Sequence, residues 1–389
     1  MNYIHDLDDW PDFQWDKGRL MQSLSRVRHN QGRLIGRMES LGFQMQSEAV
    51  LTTLVQDVTK SSEIEGELLD VNLVRSSVAR KLGMDIGALA QADRNVEGVV
   101  EMMLDATQQH TEPLNENRLY AWHAALFPTA HSGMKKIIVG AWRDDRTGPM
   151  QVVSGPIDRE QIHFEAPGAR RIPGEMTRFL KWFNNVGQLD SVLKAALAHL
   201  WFITIHPFDD GNGRIARVIS DMELARSENS SQRFYSLSSQ IQAERNDYYR
   251  ILETTQKGDL DITPWLEWFL GCLNRAIEGA ETTLSSVLYK AGYWKILNSF
   301  SLNQRQKKVL SRMLDGFEGK LTSSKWATIT KTSPDTALRD INDLVEKGIL
   351  ARGDAGGRST SYLLSPVENH SDEEEKFQIS NLKHQTNLR

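Results

Sequence analysis

The chain has 389 residues, a formal net charge of -5, 40% hydrophobic and 25% charged residues, and a single cysteine. This is ordinary globular composition for about two or three domains, and one cysteine excludes an internal disulfide. No apolar run approaches the roughly 20 residues that cross a bilayer. The opening "MNYIHDLDDWPDFQWD" is acidic and aromatic rather than a signal peptide, so the expectation is a cytoplasmic protein with no membrane partner. Cys272, beside "WFLG", reads as a small buried hydrophobe rather than a nucleophile.

Nearly every periodic segment predicts helix. From Lys17 to Gly42, Leu20, Leu24, Val27, Leu34, Ile35, Met38 and Leu41 recur near helical spacing, and the pattern stops at glycine. A second helix is predicted over Ser47 to Ser61, with Val50, Leu51, Leu54, Val55 and Val58 as its apolar stripe, leading directly into "SSEIEGE". Strand signals concentrate in "KKIIVGAWRDDRTGPMQVVSG". Its two β-rich runs, Ile137 to Trp142 and Met150 to Val153, flank a turn-rich "RDDRTGP" and predict a β-hairpin over 136–155, protruding from a helical body. "EAPGARRIPGE" breaks structure, and helix is expected to resume at Met176. "DSVLKAALAHLWFITI", almost wholly apolar from Val192 to Ile205 and capped by Asp190 or Ser191, predicts a buried central helix that delivers His206.

Further helices are predicted over "RIARVISDMELAR", "QAERNDYYRILETTQKG" and "ITPWLEWFLGCLNRAIEGAETTLSSVL". From about Asn298, three short helices precede two short strands around a glycine-rich tip, and a serine-proline cap opens the third helix. That is the winged helix-turn-helix order. Residues 301–365 hold 11 Lys or Arg and 7 Asp or Glu, a net of +4 in a chain of -5, a bias in the direction DNA binding requires. Thr332, Ser333, Thr336 and Arg339 open the recognition helix, and Arg352 and Arg358 flank the wing. Winged helices also dock proteins. The last stretch, 366–389, reads as a solvated tail.

The densest chemistry lies in "HPFDDGNGRIAR", His206 to Arg217. Proline at 207 takes His206 out of helical geometry and places its imidazole at a loop entrance, neutral at pH 7 and able to accept a hydroxyl proton. "GNG" tolerates positive φ and lets amides converge as an anion nest at a helix start, where phosphate is the natural guest. Arg214 and Arg217, three apart, share a face and can grip further phosphate oxygens. Asp209 and Asp210 would repel such an anion unless a cation intervened, so one of the two is expected to hold magnesium. Base, metal ligand, nest and arginine clamp describe transfer of part of a nucleotide to a hydroxyl. A metal hydrolase on His199, His206 and Asp209 or Asp210 ranks low, because no HExxH-type pair is present and His199 sits on an apolar helix.

The stretch resembles the Fic family signature HPFx[D/E]GNGRxxR at every defined position. The resemblance implies a mainly α fold: a helical core with a β-hairpin flap that aligns the target segment as an added strand, here with a helical N-terminal domain and a C-terminal winged helix. It implies AMP transfer from ATP to a Ser, Thr or Tyr hydroxyl, with His206 as base and Asp210 as the magnesium ligand. Phe208 would anchor the loop; Gly211, Asn212 and Gly213 would form the anion hole. Arg214 would contact the triphosphate and Arg217 the γ-phosphate, with Ile215 and Ala216 in the same nucleotide-binding run. "AERNDYYRILETTQKGD" is similar to the segment that closes the adenine pocket, with Tyr248 or Tyr249 in contact and Asn246 nearby. "SSEIEG" matches the family's inhibitory pattern [S/T]xxxE[G/N] at Ser61, Glu65 and Gly66; a Glu65–Arg217 pair would deny that guanidinium to the γ-phosphate. A homodimer is compatible with the resemblance.

The expected organisation is a helical domain at 1–110 carrying the inhibitory motif at 61–66, a catalytic core at 111–290, a winged helix at 298–365, and the tail. The leading function is an autoinhibited protein adenylyltransferase acting on a partner or on itself. The alternatives are phosphate or other nucleotidyl transfer from the same core, and a winged-helix transcriptional regulator that only senses ATP.

Overall fold

The computed structural model describes residues 3–41, 43–84, 94–146, 148–155, 159, 161–185, 187, 189–314, 319–353 and 360–365. The chain divides into two compact units, Met1–Leu284 and Ser285–Arg389, so the N-terminal helices and the central region share one unit. The described part is helical apart from three two-stranded pairs, a mainly α fold.

The first unit opens with α1 (Lys17–Glu39), whose N-terminal amides at Gly18 and Arg19 are accepted by Asp16. α2 (Phe43–Ile64) begins and ends beyond its expected bounds. Ser61, Ser62 and Ile64 are fully buried, so the apolar stripe continues past Val58 and carries the helix with it. Then come α3 (Val71–Lys81), α4 (Arg94–Gln108), α5 (Glu116–Leu126) and a small hairpin, β1 (His131–Ser132) with β2 (Lys135–Lys136).

The larger hairpin differs from the sequence expectation. β3 (Gln151–Ser154) pairs antiparallel with β4 (Gln161–Glu165), not with Ile137–Trp142. The latter run lies outside any ladder and bends at Gly140 (φ +68°), and its amides are spent elsewhere: Ile137 on the Ala130 carbonyl, Ile138 on Asp209, and Gly140 on His123. "QIHFE" supplies the partner strand instead, with Phe164 buried and Ile162 exposed across a register shift between Val152 and Val153 that breaks the simple alternation. The hairpin is therefore shifted toward the C-terminus of 136–155.

α6 (Ile172–Phe183) starts four residues before the expected Met176. Proline in the first turn loses no hydrogen bond and has φ set for helix, so Pro173 starts this helix rather than delaying it. α7 (Ser191–Ile205) is capped by Asp190 and buries every residue from Val192 to Ile205 except Lys194. Its apolar surface packs along α8 (Asn212–Glu228), and this pair is the centre of the unit. α9 (Leu237–Ala243) and α10 (Arg245–Gln256) follow, then α11 (Thr263–Leu297), which enters the second unit at Ser285. The N-terminal segment is tied to this core: the Trp10 indole donates to Glu175 at 3.0 Å, and Gln14 exchanges backbone hydrogen bonds with Leu260 and Ile262.

The second unit holds α12 (Gln304–Leu314), α13 (Ser323–Thr330) and α14 (Pro334–Glu346), followed by the antiparallel pair β5 (Leu350–Arg352) and β6 (Tyr362–Leu364). Ser333 caps α14 and Pro334 opens it, as expected. Trp326, Leu310, Ile341 and Leu344 fill a separate small core. Arg358 and the 366–389 tail lie outside the described residues.

Candidate active site

α7 ends at His206, which adopts a left-handed conformation at φ 52°, ψ 58°. Pro207 does expel His206 from the helix, but into the left-handed region rather than the extended one. The half-buried imidazole donates from Nδ1 to the Ile203 carbonyl at 3.2 Å, which leaves Nε2 as the basic nitrogen. Burial pushes its pKa down to about 4, with the Arg143 guanidinium adding to the effect, so the ring is neutral throughout the physiological range.

The loop after His206 is held from several sides. Phe208 is fully buried and stacks on His123 at 4.2 Å between ring centres. Asn212 is bonded twice to the Phe208 backbone: its Oδ1 accepts from the amide at 3.0 Å and its Nδ2 donates to the carbonyl at 2.8 Å. Asp209 accepts from the Ile138 amide at 2.8 Å and thus fastens the preceding segment. Asp210 accepts from the Gly211 amide at 2.5 Å and from the Ser132 hydroxyl. His123 donates from Nε2 to the Asp210 carbonyl at 3.2 Å, and burial lowers its pKa to about 4. Both aspartates accept from a backbone amide, and Asp210 alone of the two also accepts from a hydroxyl among the described contacts.

Of "GNG", only Gly211 has positive φ, +80°, whereas Asn212 and Gly213 already belong to α8. The expectation of a conformational need at all three positions is corrected to one. A Cβ on Gly211 would also lie 2.9 Å from the Phe127 ring. Gly213 leaves room for a side chain from another helix: a Cβ there would sit 2.3 Å from Glu65 Oε1, which would have to shift. A carboxylate thus rests at the N-terminus of α8, where converging amides and the helix dipole favour an anion.

Glu65 reaches this point from the end of α2. The Arg217 side chain, 1% exposed, donates to Glu65 Oε1 at 2.6 Å, to the Ser61 hydroxyl at 3.0 Å and to the Ser61 carbonyl at 2.9 Å. Gly66, at φ +86°, makes the turn that ends α2. Arg214 donates to Glu67 at 2.7 Å and stacks on Phe127 at 5.1 Å. One nitrogen of each arginine, Nε of Arg214 and Nη1 of Arg217, is buried with no hydrogen-bond partner. Two orphaned cationic donors at a helix N-terminus fit a multiply charged oxyanion. For a hard divalent cation the protein offers Asp210; no cluster of three or more ligating side chains occurs among the described residues. One carboxylate fits magnesium that takes its remaining ligands from phosphates and water.

Ile215 and Ala216 are fully buried, and the Ile215 amide is spent on Gly211, so neither presents a polar group to a ligand. Tyr248 is 1% exposed and donates its hydroxyl to His199 Nε2 at 2.9 Å; His199 Nδ1 donates to Ser220 at 3.0 Å. This explains the core histidine, whose pKa burial lowers to about 3. Tyr249 is 38% exposed, stacks under Arg245 and donates to the Ile64 carbonyl at the end of α2, so of the two tyrosines it is the one with open surface. Asn246 is exposed nearby. Cys272 is fully buried, with its thiol pKa raised by that burial.

Sequence reasoning missed Glu67, Ser132, His123 and Arg143. Glu67 had a readable signal, an acid two residues after Glu65, whereas the other three reach the loop through contacts that no local spacing encodes.

Two family profiles match the chain: "Fic/DOC family" over residues 113–224, and "Domain of unknown function (DUF4172)" over residues 3–84. A protein adenylyltransferase Fic of Drosophila erecta is 30% identical over 132 residues, 33% of this chain and 25% of that protein. That of Nematostella vectensis is 24% identical over 242 residues, 61% of this chain and 51% of that protein. The chain thus spans about a quarter to a half of the length of these curated relatives. A crystal structure of a Fic family protein from Desulfovibrio desulfuricans G20 superposes with a TM-score of 0.52 at 20% identity, covering 91% of this chain and 98% of that one. No helix among the described residues is long and apolar enough to cross a membrane.

Proposed function

We propose, from the premise that this chain is a Fic-family protein with its Fic domain at residues 113–224, that it transfers AMP from ATP to a hydroxyl of a protein and is held inactive by its own α2. The observation that carries this reading is the Glu65 carboxylate on Gly213 and Arg217, standing where a phosphate of the nucleotide would lie.

In the transfer, the hydroxyl oxygen attacks the α-phosphorus, the bond to the bridging oxygen breaks, and pyrophosphate leaves. The hydroxyl proton passes to Nε2 of His206, the nitrogen left basic by the Nδ1 hydrogen bond to Ile203. The α8 N-terminus, Arg214 and Arg217 hold the phosphates and stabilise charge on the leaving group. Asp210 would hold magnesium, which when bound supplies charge neutralisation on the phosphates. Glu65 withholds Arg217, so ATP enters without the γ-phosphate grip that aligns it for attack. The β3–β4 hairpin is the flap on which a target strand docks.

Incorporation of α-labelled ATP into protein tests this. Glu65→Gly removes one charge-assisted bond to a buried arginine, a contribution of about 1.5–3 kcal/mol, so label should rise roughly 10- to 100-fold over wild type. Adding His206→Ala should remove that gain, lowering transfer by about 10²–10⁴-fold. Label from γ- but not α-labelled ATP would sink AMP transfer in favour of phosphate transfer.

We propose in addition that the second unit is a winged helix that binds DNA, a reading favoured by the order of α12 to α14 followed by the β5–β6 pair. The full chain should bind duplex DNA with an affinity that falls as salt rises; binding indifferent to salt would contradict it.

A further inference from the structure

Arg143 touches both the catalytic histidine and the base of the β3–β4 hairpin. Its side chain has no exposed surface. Nε donates to the His206 carbonyl at 2.8 Å, Nη2 to the Pro167 carbonyl at 2.6 Å, and Nη1 to Asp145 at 3.0 Å. Its backbone amide donates to the Pro207 carbonyl at 2.9 Å. Pro167 directly follows Ala166, whose amide extends the hairpin by bonding to the Met150 carbonyl, and the second Asp145 oxygen accepts from the Ala169 amide at 2.6 Å.

Burying a guanidinium costs several kcal/mol of desolvation, and an apolar side chain would fill the volume without that cost. What an apolar side chain lacks is three donors in a fixed fork. The fork answers a specific need. His206 is a non-glycine residue in the left-handed region, a conformation that persists only when its surroundings over-determine it. The two carbonyls at this break, of His206 and Pro207, are both held by Arg143. A target strand docked on the hairpin is thereby referred to the same guanidinium as the base that must deprotonate it.

We propose that Arg143 is a positioning residue for transfer, setting the distance between a hydroxyl presented on the β3–β4 hairpin and the imidazole of His206. The inference rests on the reading of the site as a protein adenylyltransferase. It separates two steps: Arg143 touches none of the groups assigned to the phosphates, so its loss should spare nucleotide binding and impair transfer.

The test uses the full chain carrying Glu65→Gly, with Arg143→Lys or Asp145→Asn added. Lysine retains the charge but cannot reach three acceptors, and asparagine weakens only the hairpin arm. For Arg143→Lys, kcat per folded molecule should fall roughly 10- to 100-fold, the scale of a small misplacement of reacting groups, with the Kd for ATP unchanged. For Asp145→Asn, the KM for the target should rise more than kcat falls. A kcat unchanged in folded Arg143→Lys, or an ATP affinity that falls in step with kcat, would overturn the proposal. If Arg143→Lys does not fold, unaltered kcat and KM in Asp145→Asn would do so. If the Glu65→Gly parent transfers nothing, the functional reading fails first, and amide hydrogen exchange decides this one. Strands β3 and β4 and the Phe208 amide should exchange faster in either variant with α8 unaltered, and unchanged exchange at those amides would overturn it.

Discussion

The two segments that meet at the N-terminus of α8 are held in opposite ways. The loop from His206 to Gly213 is fastened by buried groups that bond to backbone, Arg143 to two carbonyls, Asn212 to both polar atoms of Phe208 and His123 to Asp210, and by the half-buried Asp209 on the Ile138 amide. The end of α2 is held at Ser61 by two bonds from the buried Arg217, and beyond Ser61 by side chains with solvent access: Glu65 is 32% exposed and Glu67 38%, and the Tyr249 contact to Ile64 is a long 3.3 Å. A group bonded to buried backbone cannot leave without orphaning it; a half-exposed carboxylate finds water for its own oxygens, and the cost of its leaving falls on the buried Arg217. The difference marks the His206–Gly213 loop as the more firmly held part and the residues after Ser61 as the part that, under the proposed function, would yield.

The largest expected effect comes from attacking the fixed part. Asn212→Ala orphans the buried Phe208 amide and carbonyl at once, a loss of about 2–3 kcal/mol in stability, together with loss of transfer in the Glu65→Gly background. Denaturant unfolding and α-label incorporation check it; a stable and fully active variant would erase the contrast. Acidification sharpens the same point through His199 and His206, whose folded pKa values, about 3 and about 4, lie below the unfolded value near 6.5. Unfolded chains bind more protons across that window, so stability is complete above pH about 6.5 and falls as pH drops toward 4, by up to roughly 1.4 kcal/mol per pH unit for each histidine. A Tm flat from pH 7 to 4.5 would contradict this. The smallest effect belongs to the yielding part: Glu67→Gln added to Glu65→Gly should raise transfer no more than about fivefold, the worth of a half-exposed ion pair. Because the two acids hold different arginines, the gains should combine additively in free energy, and a double-mutant cycle measures whether they do.

This contrast also explains what could be read without coordinates. The motif from His206 to Arg217 was legible because its chemistry is local, twelve consecutive residues around one helix start. The Glu65–Arg217 pair spans 152 positions and was legible only through the family pattern. The hairpin was mispaired because Ile137–Trp142 has strand-like composition but has its amides claimed by Ala130, Asp209 and His123, partners that only tertiary packing supplies. Gly213 misled for a related reason. A glycine ordinarily signals backbone freedom, and here it signals the room taken by a carboxylate from another helix.

The closeness of Glu65 to Gly213 also makes the occupancy of that space exclusive. Under the proposed function a phosphate oxygen and the Glu65 carboxylate could not share it, and the productive complex would be drawn only from molecules whose α2 terminus has stepped aside. If that fraction is about one in a hundred, the apparent dissociation constant of the productive complex is a hundredfold weaker than the intrinsic one. Linkage then runs both ways: whatever partner pulls on α2 tightens productive ATP binding, and ATP bound productively loosens α2 by the same factor.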